Sequence, residues 1–439
     1  MDRRRLRRFG RPVQRDGRRR SLPSAGPKGH GTGRGWARFE APGPTAPGPA
    51  AGRARTREDA RGHPESQVSM PVDIVRPDEL ADADVARWTA VQASSPALDS
   101  PFLSPQFAAA VARVRDRTRV AVLTDSAGEV GYLPFERARL GRGAALAKGL
   151  SDVQGLVARE TLDVDLASVM RAGGLRVLEF DHLLAAQEPW LRTGHARYVR
   201  EVSPALDLSG GYEAYVRDKQ SSSKSLFQTN ARKRRKLARE HGDVRLVFDV
   251  RDHALLDQVL TWKSDQYRRT GRRDRFADPA NRVLVHDLLD VRDPDFGAPL
   301  TVLYAGDAVV AAHLGLQSRR TVAWWFPVYD PRFGPYSPGL LLCLELAEAM
   351  AEHGADVLDL GKGDEPYKDR LSNAGIALVS GAVARDRVSH AAHTARHWPA
   401  ERLTAVVLGS ARLRRLARKA LIRAGSVRER IAARPGDSR

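Results

Sequence analysis

The stretch Trp324-Trp325-Phe326-Pro327-Val328-Tyr329-Asp330-Pro331-Arg332-Phe333-Gly334-Pro335-Tyr336-Ser337-Pro338-Gly339-Leu340 decides the reading of this chain. It passes from an apolar, aromatic strand through a proline- and glycine-rich loop into a helix that continues to His353, with Gly354 as its stop. Ser337 suits the N-cap, and Pro338 suits the first helical position, where its missing N–H costs nothing. The amides of Gly339, Leu340 and Leu341 then face out of the helix start. With the helix dipole they favour an anion such as a pyrophosphate. Gly334 and Gly339 would let a ligand approach the backbone, and Arg332 adds a cation. The same loop also suits an ordinary strand-to-helix turn.

Outward from that loop, the second half alternates strands and helices in a definite order. Val244–Val250 reads as a strand. Leu255, Leu256, Val259, Lys263 and Tyr267 mark one side of a helix that stops at Gly271. Asn281–Leu289 is a second helix. Leu300–Ala305 and Ala308–Gln317 flank Gly306-Asp307, a tight hairpin signal. Thr321–Asp330 is a third strand of this group. After the long helix come a strand at Val357–Leu360, a short helix at Glu365–Ser372 and a strand at Ile376–Ala384. The first half gives a similar order less clearly, from Val72 to Leu208, with no residue-level repeat.

That order resembles the GNAT N-acetyltransferase fold. The expected class is α/β: two tandem GNAT-like domains with mixed, mostly antiparallel sheets flanked by helices, over 70–208 and 209–386. GNAT enzymes bind the coenzyme A pyrophosphate at a loop of the form R/Q-x-x-G-x-G/A, and Arg332 to Gly339 resembles a relaxed version with altered spacing. Ser221–Gly242, Trp262–Gly271, Tyr329–Leu342 and Asp359–Leu371 together resemble the CelD-like (cellulose-biosynthesis-type) GNAT family, with its FemAB-like tandem arrangement. The basic run Ala231-Arg232-Lys233-Arg234-Arg235-Lys236-Leu237, the Ser337-Pro338-Gly339 turn, and Gly363-Asp364-Glu365 before Tyr367-Lys368 carry that resemblance.

The resemblance implies acetyl-CoA or another acyl-CoA as co-substrate, with Arg332, Gly334, Ser337, Gly339 and Leu340 at the donor. It implies an amine acceptor, such as an amino sugar or polysaccharide precursor, near Trp262, Lys263, Gln266 and Lys368. Tyr367, at the start of the short helix, stands where many GNAT enzymes place a tyrosine that protonates the leaving thiolate. Glu365, Asp364 and Asp359 are the candidate bases. Each has a plainer role open to it: Asp364 as a helix cap, Glu365 facing the helix dipole, Tyr367 in packing. His313, mid-strand among apolar neighbours, reads as a core histidine. Trp324 and Trp325 suit either packing or an acyl-chain wall.

Composition bounds the alternatives. The chain has 439 residues and a net charge of +19. Residues 1–69 carry a balance of +11 and residues 387–439 one of +10, which leaves −2 over 70–386. The basicity therefore sits at the two ends, a disordered Arg/Pro/Gly-rich extension and a basic helical tail. Met70 is an alternative start. Those ends, and the basic run at 231–237, suit contact with an anionic surface or RNA. A Fem-like aminoacyl-tRNA-dependent transferase and a non-catalytic nucleic-acid or anionic-surface binder are the rival functions. The single cysteine, Cys343, excludes a disulfide within the chain and a Cys-rich metal site. His390, His393 and His397 are spaced for one helix face but have no supporting ligand, so no metal is expected. No run of apolar residues is long enough to span a bilayer, so a cytoplasmic protein is expected.

Overall fold

The computed structural model describes residues 71–162, 164–191, 195–363 and 365–396. The extension 1–69 and most of the 387–439 tail fall outside them, as do Asp364 and His397. The first half runs β1 (Val72–Val75), α1 (Asp82–Ala93), α2 (Pro105–Val114), β2 (Thr118–Thr124), β3 (Val130–Arg137), β4 (Arg142–Ala145), α3 (Leu166–Ala172), β5 (Val177–Leu184), α4 (Glu188–Leu191) and β6 (His195–Asp207). A long helix, α5 (Tyr212–His241), leads to the second half. That half runs β7 (Val244–Val250), α6 (His253–Thr270), α7 (Pro279–Asp290), β8 (Leu300–Ala305), β9 (Ala308–Gln317), β10 (Thr321–Tyr329), α8 (Pro338–Glu352), β11 (Val357–Asp359), α9 (Pro366–Leu371) and β12 (Ala374–Ala384).

Local chemistry sets the ends of these elements. The Ser104 hydroxyl accepts from the Phe107 amide at 3.1 Å to start α2. Asp252 and Asp278 do the same for α6 and α7. Gly271 closes α6 in the left-handed conformation, at φ 68°, where a side chain would be strained.

All the strands join one mixed sheet in the order β1-β2-β3-β4-β5-β12-β6-β11-β10-β9-β8-β7. This order is a palindrome of the two halves. Neighbours pair antiparallel throughout, except β4 with β5 and β10 with β11, which are parallel. β6 and β12 are exchanged: β12 pairs with β5 of the first half, and β6 pairs with β11 of the second. The structure is thus α/β, with two halves of matching strand order in one large, mostly antiparallel sheet flanked by helices. β4 is absent from the sequence reading, because Arg142-Gly143-Ala144-Ala145 carries no apolar alternation.

Three main cores hold the layers. One joins the halves: Trp88, Phe102 and Phe107 pack in the same cluster as Leu256, Leu284, Trp325 and Phe326. A second lies among α5, α8 and the β8–β11 strands, around Leu226, Leu342 and Leu358. A third lies around Phe135, Met170 and Phe180 in the first half.

Because β12 bonds on both sides and buries Leu378, Val379 and Val383 completely, it is required by both halves. A chain of residues 71–396 should unfold in one cooperative calorimetric transition. The same chain ended at Ser372 should show none.

Candidate active site

β10 and β11 pair only from Thr321–Ala323 against Val357–Asp359. Beyond those pairs β10 continues through Trp324–Tyr329 without β11, and its ladder with β9 shifts register between Ala323 and Phe326. The sheet therefore opens into a wedge between β10 and β11, and α8 starts beside it. A turn at Pro331–Tyr336 links β10 to α8 and is capped by Asp330, which accepts from the Arg332 amide at 2.9 Å. The Arg332 guanidinium bonds the same carboxylate, at 2.9 and 2.6 Å, and lies largely in solvent. Gly334 is exposed, with open space where a Cβ would stand.

Ser337 takes the left-handed conformation (φ 54°) and makes no side-chain cap. Its carbonyl accepts the amides of Leu340 and Leu341 at 3.0 and 3.1 Å. Among the described residues that leaves the Gly339 amide without a backbone partner. A Cβ on Gly339 would meet only the Tyr329 ring, at 3.6 Å. The basic helix α5 lies across this start. Lys233 Nζ donates to Ser337 Oγ at 2.6 Å, and Lys236 sits 5.5 Å from the Tyr336 ring centre. Arg234 is spent on Glu345, at 2.6 Å. Asn230, buried one turn earlier, has no partner for its Oδ1. The related helix of the first half, α3, opens differently: Asp165 caps it by accepting from the Ala167 amide at 2.9 Å. A carboxylate thus occupies the place of an anion in one half, while a lysine and an open amide face it in the other.

The two tryptophans of β10 diverge. Trp325 joins the shared core and donates Nε1 to the Leu150 carbonyl of the first half at 2.8 Å. Trp324 stacks on His313 at 4.4 Å, and its Nε1 lies 3.3 Å from Tyr367 Oη. His313 is fully buried, and burial pulls its imidazole down to about 3. It stays neutral, and its Nε2 faces the Trp325 amide at 3.2 Å, inside the register shift. It props the β10 bulge, a role the sequence pattern does not signal. Burial raises the Tyr367 phenol well above the ordinary range, so its hydroxyl keeps a proton to donate.

Glu365 stands at the head of α9. Burial pushes its carboxyl up, but Arg272, at 2.6 Å, and Lys368, at 3.1 Å, outweigh that and hold it ionised. Lys368 is itself buried and donates to the Gly361 and Lys362 carbonyls at 2.9 and 3.3 Å. Asp359 is buried at the end of β11, with Oδ1 accepting from Ser203 Oγ at 2.6 Å and from the Gly361 amide at 2.9 Å. Desolvation raises it. On α6, Lys263 is buried and donates to the Pro327 carbonyl at 2.9 Å. Trp262 packs at the edge of the shared core, and Gln266 buries an unpartnered Oε1. The structure therefore brings Lys263, Glu365, Tyr367 and Lys368 to one end of the wedge. It also brings Arg272, Arg275 and Asp152, which the sequence reading does not single out.

Residues 225–369 match the family model of the acetyltransferase (GNAT) domain. That span runs from within α5 to α9 and contains the wedge, the α8 start and the basic run. The protein is an acyltransferase, with a GNAT-type domain in its second half. No curated protein matches the chain. Similar solved structures include FemX, at 10% identity over 71% of this chain and 97% of that one, with a TM-score of 0.48. A tandem GNAT protein from the clavulanic acid biosynthesis pathway gives 10%, 72%, 99% and 0.43 in the same order. A GCN5-related N-acetyltransferase from Sphaerobacter thermophilus gives 12%, 72%, 94% and 0.35.

Burial, with the nearby Arg272 adding to it, lowers Lys263 to about 7. A lysine whose folded-state value is depressed costs stability while it is charged in both states. The cost is full below about pH 7 and disappears as pH rises toward 10.5. Lys263→Met should therefore raise the melting temperature more at pH 6 than at pH 10, read by calorimetry at both.

Proposed function

We propose that the second half transfers an acyl group from a coenzyme A thioester to an amine, with both substrates bound at the β10–β11 wedge. The observation that carries this is the start of α8. An amide without a backbone partner, a helix dipole and the Lys233 ammonium converge there, beside strands that part just where a thioester would enter. Lys233 and the Gly339 amide would hold the pyrophosphate. Arg332, committed to Asp330, contributes charge at a distance. The backbone of β10 past Ala323 lacks a β11 partner and would offer donors to the thioester oxygen. Tyr367 would give its proton to the departing sulfur.

The acceptor is an amino sugar or another small amine of polysaccharide precursors, following the CelD-like resemblance, and the reaction belongs in the cytoplasm. None of the described helices is long and apolar enough to cross a membrane. A Fem-like reading, with aminoacyl-tRNA as donor, is supported by one further feature: Arg232, Arg235 and Arg239 of α5 are exposed beside the α8 start.

Calorimetry with acetyl-CoA and with tRNA separates the two donors. Gly339→Val should weaken acetyl-CoA binding by about 1–3 kcal/mol, the worth of a charge-assisted hydrogen bond, with an unchanged melting temperature. Unaltered affinity in the folded variant would move the donor elsewhere.

Tyr367→Phe removes only the hydroxyl. Turnover should fall by roughly 10²–10⁴-fold while acetyl-CoA affinity holds, because a leaving-group proton matters in the transition state and not in the ground state. Full activity would exclude the acid role.

A further inference from the structure

The loop that follows β4 does not stay with its own half. Gly149 faces Arg275, whose Nη1 lies 3.6 Å from where a Cβ would stand. Leu150 accepts the Trp325 indole of β10 at 2.8 Å. Asp152 Oδ2 comes to 3.2 Å from the Cβ position of Gly361, just past the end of β11. The loop thus touches both arms of the wedge and lays one carboxylate across its mouth.

The carboxylates around the wedge differ in freedom. Glu365 is held by two cations, and Asp359 is buried with a hydroxyl and an amide on one oxygen. Asp152 accepts no hydrogen bond among the described residues. Its nearest basic side chain is that of His182, with Nε2 at 4.0 Å, and 26% of its side chain remains open to solvent.

We propose that Asp152, carried by the first half, is a catalytic residue of the second: its carboxylate receives the acceptor's ammonium at the wedge and takes the proton that leaves it. The proposal rests on the acyl-transfer reading above and names its base. The amine nitrogen gives one proton to Asp152 and forms a bond to the thioester carbonyl carbon. The carbon–sulfur bond then breaks with its electron pair on sulfur. The second nitrogen proton goes to solvent, Tyr367 gives its proton to the thiolate and takes one back from solvent, and Asp152 returns its own to solvent.

The surroundings suit that work. Burial raises the Asp152 carboxyl to about 6, with Asp359 on β11 adding to the rise. His182 on β5, Arg275 before α7 and Lys368 on α9 oppose it. A base with that affinity is ionised at neutral pH yet still takes a proton.

The test uses the full chain with acetyl-CoA and two amine probes. Glucosamine is largely an ammonium at neutral pH and must lose a proton. Hydroxylamine is already unprotonated there, and its background reaction is subtracted. Asp152→Asn should slow acetylation of glucosamine by roughly 10²–10⁴-fold, remove the rise in kcat/KM through about pH 6, and slow hydroxylamine far less. Acetyl-CoA affinity should hold. Equal losses for both probes, or an unchanged pH profile, would overturn the assignment. In the unsubstituted protein, the carbon-13 shift of the Asp152 carboxyl should titrate near 6 and move when glucosamine alone is added. A shift indifferent to the amine overturns the proposal even if Asp152→Asn does not fold. Failure of the protein to bind acetyl-CoA would end the donor reading instead, and the shift would still decide whether Asp152 holds an ammonium.

Discussion

Between β6 and β12 the backbone ladder runs unbroken from Ala374 opposite Ala205 to Ala384 opposite His195. Each of these strands is the terminal strand of one repeat and lies against the other repeat. If either returned to its own half, two rows of amides and carbonyls at the centre of the sheet would lose their partners. The exchange therefore fixes the two halves against each other through backbone bonds as well as side chains. The shared core adds to it, since Phe102 and Phe107 meet Trp325 ring to ring at 5.8 and 6.3 Å. With the halves locked, a loop of one can serve as a wall of the other. The position of Asp152 at Gly361 depends on this, because no contact within the first half would bring it there.

The palindrome also shows how two similar frames come to differ in chemistry. Both open the sheet after a short parallel pairing, and both place a helix at the opening. In the first half the helix start is satisfied by Asp165, and apolar side chains such as Leu178, Phe180 and Leu183 line the opening. In the second half the helix begins at a serine whose hydroxyl is taken by Lys233 instead of by the helix. A capping carboxylate repels an anion, whereas an open amide beside an ammonium attracts one. The first half keeps the frame and gives up the anion site, and its post-β4 loop is free for another use.

Much of the second half was legible because its signals are local. The Gly306-Asp307 hairpin, the Gly271 stop and the Pro338 start are turn and end chemistry, and each stands where the residues place it, although Ser337 takes the left-handed conformation and does not cap the helix as its type suggests. Elements that depend on tertiary partners were harder to read. β4 is made of Arg142, Gly143, Ala144 and Ala145 and becomes a strand only because β3 and β5 flank it. α5 shows only its basic run in the pattern, yet it is helical from Tyr212, with Tyr215 and Leu226 buried on one side. Its basic run reads equally well as a solvated face. Only the fold shows Lys233 turned onto the α8 start while Arg232 and Arg235 face water. Arg332 has the spacing of an anion ligand, and in the fold its guanidinium bonds Asp330, two residues earlier.

Desolvation sorts the charged groups at the wedge. Lys263, Lys368, Arg272 and Arg275 crowd one end, and crowding of like charges in a poorly solvated place has to be offset. Glu365 offsets it by bridging Arg272 and Lys368, which hold its carboxyl below its ordinary value. Gly363 makes this packing possible: a Cβ there would run into Glu365 Oε2 where it folds back between its cations. Asp152 lies near buried Asp359, and Arg275 and Lys368 act on it without a hydrogen bond to it. Two carboxylates near one another cannot both ionise cheaply. Desolvation raises both, and Asp359 has hydrogen bonds from Ser203 and Gly361 that oppose the rise, whereas Asp152 has none among the described residues. An arriving ammonium would offset that repulsion, and the carboxylate that meets it is carried by a loop from the other half.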